Sequence, residues 1–344
     1  MGVLIDFFSD TVTQPTRAMR QAMAEAEVGD EQRGEDPTTR SLEVRVAQIL
    51  GLEAASFLPS ATMANAIAIQ LHCGPGDEVL SAENGHVLNY EAGGAAVHAR
   101  ASVRSIPTWT GIFGSNAVRT RLRHDTPHSP RPRLVVVENT TNAGGGRPWP
   151  LEELDAVTAV AGEHGLATHL DGSRLFNASV AMATPVARLC QGFSTVTVCL
   201  SKGLGCPVGA LLAHSQEQAP QVRRLKQLMG GAMRQSGILA AAGRYALDHH
   251  IERLVEDHQR AERLAAGLSE MRQLVIEQIP LRTNMVYLEV PDRYSPDHLE
   301  QGLLKAGVRL SRMGPRRFRA VTHLNLNDSD IEAALQAFGK VLRA

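Results

Sequence analysis

Val196-Thr-Val-Cys-Leu-Ser-Lys-Gly-Leu-Gly205 is an apolar run that breaks into a lysine set among a serine and glycines. Such a run predicts a buried strand that presents Lys202 at its C-terminal edge, where open α/β sheets place their chemistry. A second run upstream, Leu166-Ala-Thr-His-Leu-Asp-Gly-Ser-Arg174, predicts a strand that ends on Asp171 in the same way. One helix and a crossover fit between the two, as parallel strands require. A third expected strand, Ala54 to Leu58, runs into Pro59-Ser-Ala-Thr-Met-Ala-Asn65, small and hydroxyl residues that open an apolar helix reaching about Leu71.

Each element has an ordinary reading: a solvated loop lysine, a strand-end carboxylate, a helix N-cap. Together, and in this order, they point to one cofactor. A lysine in apolar surroundings sheds its proton readily, and the neutral amine condenses with an aldehyde, which makes Lys202 a candidate Schiff-base lysine for pyridoxal phosphate. Asp171 is placed to pair with a protonated pyridine nitrogen and keep the ring an electron sink. The helix start at Ser60, Ala61 and Thr62 offers backbone N–H groups and two hydroxyls to a phosphate.

Further segments agree: Ser9-Asp-Thr-Val-Thr13, Val28-Gly-Asp30, Gly34-Glu-Asp-Pro-Thr38, Tyr90-Glu-Ala-Gly-Gly94, Glu138-Asn-Thr140, Met233-Arg-Gln235 and Val321-Thr-His-Leu324. With them the chain resembles, over nearly its whole length, the threonine aldolase family of fold-type I, pyridoxal-phosphate-dependent β-eliminating lyases. The resemblance implies retro-aldol cleavage of threonine, allo-threonine and related β-hydroxy-α-amino acids to glycine and an aldehyde. Another reaction of the same cofactor, such as β-elimination, racemisation or transamination, is the alternative on that scaffold. It also implies a homodimer or homotetramer with active sites shared between subunits.

By the same resemblance Arg174 and Arg319 hold the substrate carboxylate, with Ser9 assisting from the N-terminal arm. Arginine suits that task because its planar fork matches a carboxylate. His86 matches a histidine that stacks on the pyridine ring and is a candidate base for the β-hydroxyl; His128 aligns with a second active-site histidine in some members. Tyr90 and Arg33 border the substrate pocket, and Arg234, in a glycine-rich loop entering a helix, is a candidate donor to a neighbouring subunit's phosphate. Arg33 stands where the family often has tyrosine, Ala61 where glycine is common, Thr141 where histidine often follows Glu-Asn-Thr, and Gln227 where a basic residue is frequent. These departures concern the pocket rather than Asp171 or Lys202.

The expected fold class is α/β of the fold-type I transferase kind. It has a large domain with a mostly parallel seven-stranded sheet and a smaller C-terminal α/β domain, divided as an arm over 1–15, a cofactor domain over 16–245 and a small domain over 246–344. Strands are expected at about 54–58, 78–81, 101–106, 133–137, 166–170, 195–200 and 208–213, then a long charged helix from His249 to Met271 and βαβ-like segments beyond it. No glycine cluster forms the Gly-x-Gly-x-x-Gly of a dinucleotide site. With 344 residues, 43% hydrophobic and 21% charged, the chain can bury a large core. A formal charge of −1 offers no field for nucleic acid or an anionic membrane.

Cys73, Cys190, Cys199 and Cys206 form no Cys-x-x-Cys pair and read as reduced thiols of a cytoplasmic protein. The N-terminal apolar stretch is too short for a signal peptide, and no run reaches the roughly 20 apolar residues of a membrane span. His124 and His128 flank Pro127 in a proline-rich loop, so no helical metal-ligand pair is expected there.

Overall fold

The computed structural model describes residues 5–124 and 126–343. The first four residues of the N-terminal arm, Asp125 and Ala344 lie outside them.

The arm opens with strand β1 (Ile5–Asp6). Seven strands follow that form one sheet: β2 (Ala54–Leu58), β3 (Asp77–Ala82), β4 (Ser102–Ile106), β5 (Arg131–Glu138), β6 (Ala167–Gly172), β7 (Thr195–Cys199) and β8 (Ala210–His214). Their spatial order is β2-β8-β7-β6-β5-β3-β4, parallel except for β8, which runs antiparallel to both neighbours. All seven coincide with the strands expected from sequence to within a residue or two. Their legibility has a physical cause, because buried strands read as largely apolar runs, and β7 and β8 are buried throughout.

Helices Pro37–Leu50, Ala61–His72, Leu151–Glu163 and Gly237–His249 belong to this unit, with Leu42, Ile67, Leu154 and Ala240 among their buried residues. The first begins where Asp36 accepts the N–H of Thr39 at 2.8 Å, with Pro37 at its first position, and stops at Gly51 in the left-handed region. After the arm a helix runs over Arg17–Ala24, capped by Thr16.

Beyond residue 250 a second core gathers Leu264, Leu268, Leu288, Phe318, Ile331 and Phe338. Phe7 of the arm is buried in it, and β1 pairs in parallel with β11 (Val308–Arg309). The remaining sheet is not βαβ-like: β9 (Val275–Ile276), β10 (Met285–Glu289), β12 (Ser311–Arg312) and β13 (Arg317–Val321) lie in the order β12-β13-β10-β9 with every pairing antiparallel. The long helix expected from His249 to Met271 is Leu254–Ser269, and His249 ends the preceding helix, Gly237–His249. Among the described residues no helix is long and apolar enough to cross a membrane.

Candidate active site

The C-terminal ends of β5, β6 and β7 assemble the site. Register places Glu138 beside Asp171, and Asp171 beside Thr197. Lys202 follows β7 in a loop closed by a turn from the Gly205 N–H to the Lys202 carbonyl at 2.9 Å. Gly205 has φ +73°, and a Cβ there would lie 2.8 Å from Leu324, so the turn requires glycine. Thr13 of the arm donates to the same Lys202 carbonyl at 2.9 Å, tying the arm to the lysine loop.

Asp171 is buried. Its Oδ1 accepts from the Ser173 N–H (3.1 Å) and hydroxyl (2.8 Å), and its Oδ2 from Asn65 Nδ2 at 3.0 Å. Burial alone would raise this carboxyl's pKa. The charges of His86 and Lys202, the Ser173 bond and His169 outweigh burial and hold it below the ordinary value.

Asn65 Nδ2 also donates to Glu91 Oε1 at 2.8 Å, so one amide joins both carboxylates. Its Oδ1 contacts His169 Nε2 at 3.1 Å. Glu91 Oε1 meets His86 Nδ1 at 2.8 Å, which fixes the neutral tautomer with its proton on Nδ1 and leaves Nε2 as the open nitrogen. Burial would lower the His86 pKa, but the Glu91 bond and the charges of Asp171 and Glu138 raise it. The ligand-type atoms of His86, Glu91 and Asp171 lie within 4.8 Å of one another, and the Asn65 and His86 N–H groups bridge them.

Glu138 accepts the backbone N–H of His86 (2.9 Å) and of Asn142 (2.8 Å); burial and Asp171 push its pKa up to about 7. Asn65, Glu91 and Glu138 carried no role in the sequence reading. A lone asparagine in the otherwise apolar first turns of helix Ala61–His72 was the available signal.

At the start of that helix Ser60 caps Met63 N at 3.2 Å, leaving the N–H groups of Ala61 and Thr62 without intrahelical partners. Gly231 rests on the same turn, and a Cβ there would stand 2.4 Å from Met63 Sδ. The loop carrying Arg234 is thus seated on the start of that helix in its own chain. The Arg234 side chain is 61% exposed, 3.0 Å from Asp30, and Arg33 is 74% exposed at 3.9 Å from the same carboxylate. The exposed Tyr90 ring lies 5.5 Å from that of His86.

The carboxylate-binding candidates lie between arm and C-terminal sheet. Arg174 is not a free fork. Its Nε and Nη2 each reach the buried Asp10 at 2.7 Å, leaving Nη1 at 3.5 Å from Asn142 Oδ1. Arg319 on β13 donates from Nη1 to Asn142 Oδ1 at 2.7 Å and from Nη2 to Phe8 O and Ser311 Oγ. Its neighbours turn elsewhere, Arg317 to Glu277 and Arg316 to Val290 O. Ser9 Oγ caps Thr11 N and lies 3.4 Å from Asp10.

His128 requires a correction. It is exposed and precedes β5, whose far end carries Glu138. At about 3.3 Å per residue the strand spans about 23 Å, so a single chain holds His128 on the opposite edge of the sheet from Asp171.

A cavity of about 510 Å³ lies away from these groups, lined by Glu31, Glu43, His214 and Lys226. Lys226 and Glu31 pair with each other there, so the cavity's size does not mark the chemistry. The donor set that fits pyridoxal phosphate is the other one: an open helix start, a buried ionised carboxylate and a strand-end lysine.

Comparison with known proteins agrees with this geometry. The Beta-eliminating lyase family profile matches residues 6–291. The chain is 39% identical over 347 aligned positions to the probable low-specificity L-threonine aldolase 2 of Arabidopsis thaliana, covering 99% of this chain and 98% of that one. It is 40% identical to the low specificity L-threonine aldolase of Escherichia coli K12, covering 94% and 95%. The threonine aldolase structure from Leishmania major superposes with a TM-score of 0.84 at 19% identity, over 98% of this chain and 99% of that one. The chain belongs to the beta-eliminating lyase family.

Proposed function

We propose that the protein is a pyridoxal-phosphate-dependent aldehyde-lyase that cleaves L-threonine, L-allo-threonine and related β-hydroxy-α-amino acids to glycine and an aldehyde. The observation that carries this reading is a buried, ionised Asp171 beside Lys202 and His86 at adjoining strand ends. Relatives named L-threonine aldolase support the reaction.

Lys202 would hold the cofactor through its amine, Asp171 would face the pyridine nitrogen, and Ser60, Ala61 and Thr62 would take the phosphate. When bound, the cofactor supplies an electron sink next to the amino acid's α-carbon. Arg319 and the Nη1 of Arg174 that Asp10 leaves over grip the α-carboxylate and set the angle of the Cα–Cβ bond. Ser9, Tyr90 and Arg33 border that pocket. His86 Nε2 takes the β-hydroxyl proton, and Glu91 stabilises the resulting imidazolium by accepting its Nδ1–H.

The chain is read as an arm over 1–15, a cofactor domain over 16–245 and a small domain over 246–344. It is further read as a cytoplasmic homodimer or homotetramer in which the exposed Arg234 reaches a neighbour's phosphate. The test of the reaction is product analysis with L-threonine, L-allo-threonine and β-phenylserine. Glycine and aldehyde in equal amounts are expected; a keto acid or free ammonia without glycine would sink the aldolase reading.

Glu91→Gln gives a pH-dependence test of the His86 role. Glu91 raises the His86 pKa, and the base works only when neutral. Removing the carboxylate charge lowers that pKa, so the acid limb of kcat/KM moves to lower pH. An acid limb that stays in place would remove His86 as the base.

A further inference from the structure

We infer that Asn142 is a positioning residue of the carboxylate pocket: its side-chain carbonyl holds Arg319 and Arg174 toward one point, which a substrate carboxylate oxygen takes over. This rests on the reading above that these arginines bind the amino acid.

Arg319 is a buried cation, 7% exposed, whose hydrogen-bond partners are the neutral oxygens of Asn142, Phe8 and Ser311. Its Nε is buried with no partner, and no carboxylate pairs with it among the described residues. A buried guanidinium left this way is costly unless an anion completes it. Arg174 is different, because Asp10 neutralises it and occupies two of its three nitrogens. The third, Nη1, makes its 3.5 Å contact with the oxygen that Arg319 grips at 2.7 Å. With guanidinium N–H groups converging on it, the amide presents oxygen rather than nitrogen.

Asn142 itself is pinned by its backbone. Its N–H donates to Glu138 Oε1 at 2.8 Å, and its carbonyl accepts from the Tyr287 hydroxyl at 2.5 Å. The following residue is held as well, since Arg317 donates to Ala143 O at 3.0 Å. A neutral carbonyl fixed at this point aims both arginines but yields to a carboxylate, which binds guanidinium about twice as strongly. A carboxylate built into position 142 would not yield.

The test compares Asn142→Asp, Asn142→Ala and Arg319→Ala as holoproteins. Glycine affinity is read from the change in the cofactor's visible absorption, alongside cofactor affinity and Tm. Asn142→Asp is expected to weaken glycine binding about a hundredfold while raising Tm and leaving cofactor affinity unchanged. Its affinity for ethanolamine, which has the amine but no carboxylate, should stay at the wild-type level. Asn142→Ala is expected to weaken glycine about tenfold without raising Tm. Loss of glycine and ethanolamine affinity together, or a lowered Tm in Asn142→Asp, would mean general damage and overturn the proposal. Wild-type glycine binding in Asn142→Asp, with Arg319→Ala weakened, would also overturn it and leave the substrate reading standing. Unchanged glycine binding in Arg319→Ala would instead overturn that reading and the proposal with it.

Discussion

Lys202→Ala is expected to lower turnover by about 10³- to 10⁴-fold and to abolish covalent fixation of the cofactor by borohydride, because the variant removes both a nucleophile and a proton carrier. The side chain also has an electrostatic role to be separated from the chemical one, since its charge helps hold Asp10 and Asp171 ionised. Lys202→Arg makes the separation. Arginine restores the cation but, with a pKa above 12, supplies no free amine, so it should fail in catalysis as alanine does while recovering Tm. Visible absorbance before and after reduction, with peptide mapping of the fixed cofactor, provides the check. A Lys202→Ala protein that still carries a borohydride-reducible linkage would transfer the role to another residue.

The ease of locating Lys202 from sequence, against the difficulty of locating its support, has a physical basis. Strands β6, β7 and β8 are buried at nearly every position, so a polar residue at the end of an apolar run, Asp171 or Lys202, stands out in the chain itself. Asn65 and Asn142 acquire their roles from partners distant in sequence: Asn65 meets Asp171 across 106 positions and Asn142 meets Arg319 across 177. No local pattern encodes such a contact. Arg174 is a further case, because its partner, the arm's Asp10, lies 164 positions distant. Of the C-terminal strands, β9, β11 and β12 escaped because they have two residues each, too short for any alternation to register. His128 was placed by alignment of a loop, and the length of β5 keeps it from the site within one chain.

The Asp10–Arg174 pair should dominate acid stability. Both groups are buried, and Asn284 Nδ2 adds a third hydrogen bond to Asp10 at 3.1 Å. Burial works against the carboxylate, yet Arg174's charge and hydrogen bonds, Lys202 and Asn284 drive the Asp10 pKa far below the ordinary range. A carboxyl whose folded pKa is depressed contributes its stability above the unfolded value, about 4, and loses it as pH falls through the folded value. The holoprotein should therefore weaken below about pH 4, and Asp10→Ala should lose that part of the acid transition. At neutral pH the same variant is expected to cost about 3–5 kcal/mol, because it leaves the Arg174 cation buried and unpaired. The double variant Asp10→Leu with Arg174→Met removes both charges and should recover most of the loss, since replacing a whole buried pair with apolar side chains is often neutral. Denaturant unfolding at fixed, saturating cofactor keeps ligand linkage constant across the series. A single-variant cost below about 1 kcal/mol would show that water reaches Arg174 and screens it, as at an exposed pair. A double variant no more stable than Asp10→Ala would show that packing of the arm, rather than the lone charge, sets the cost.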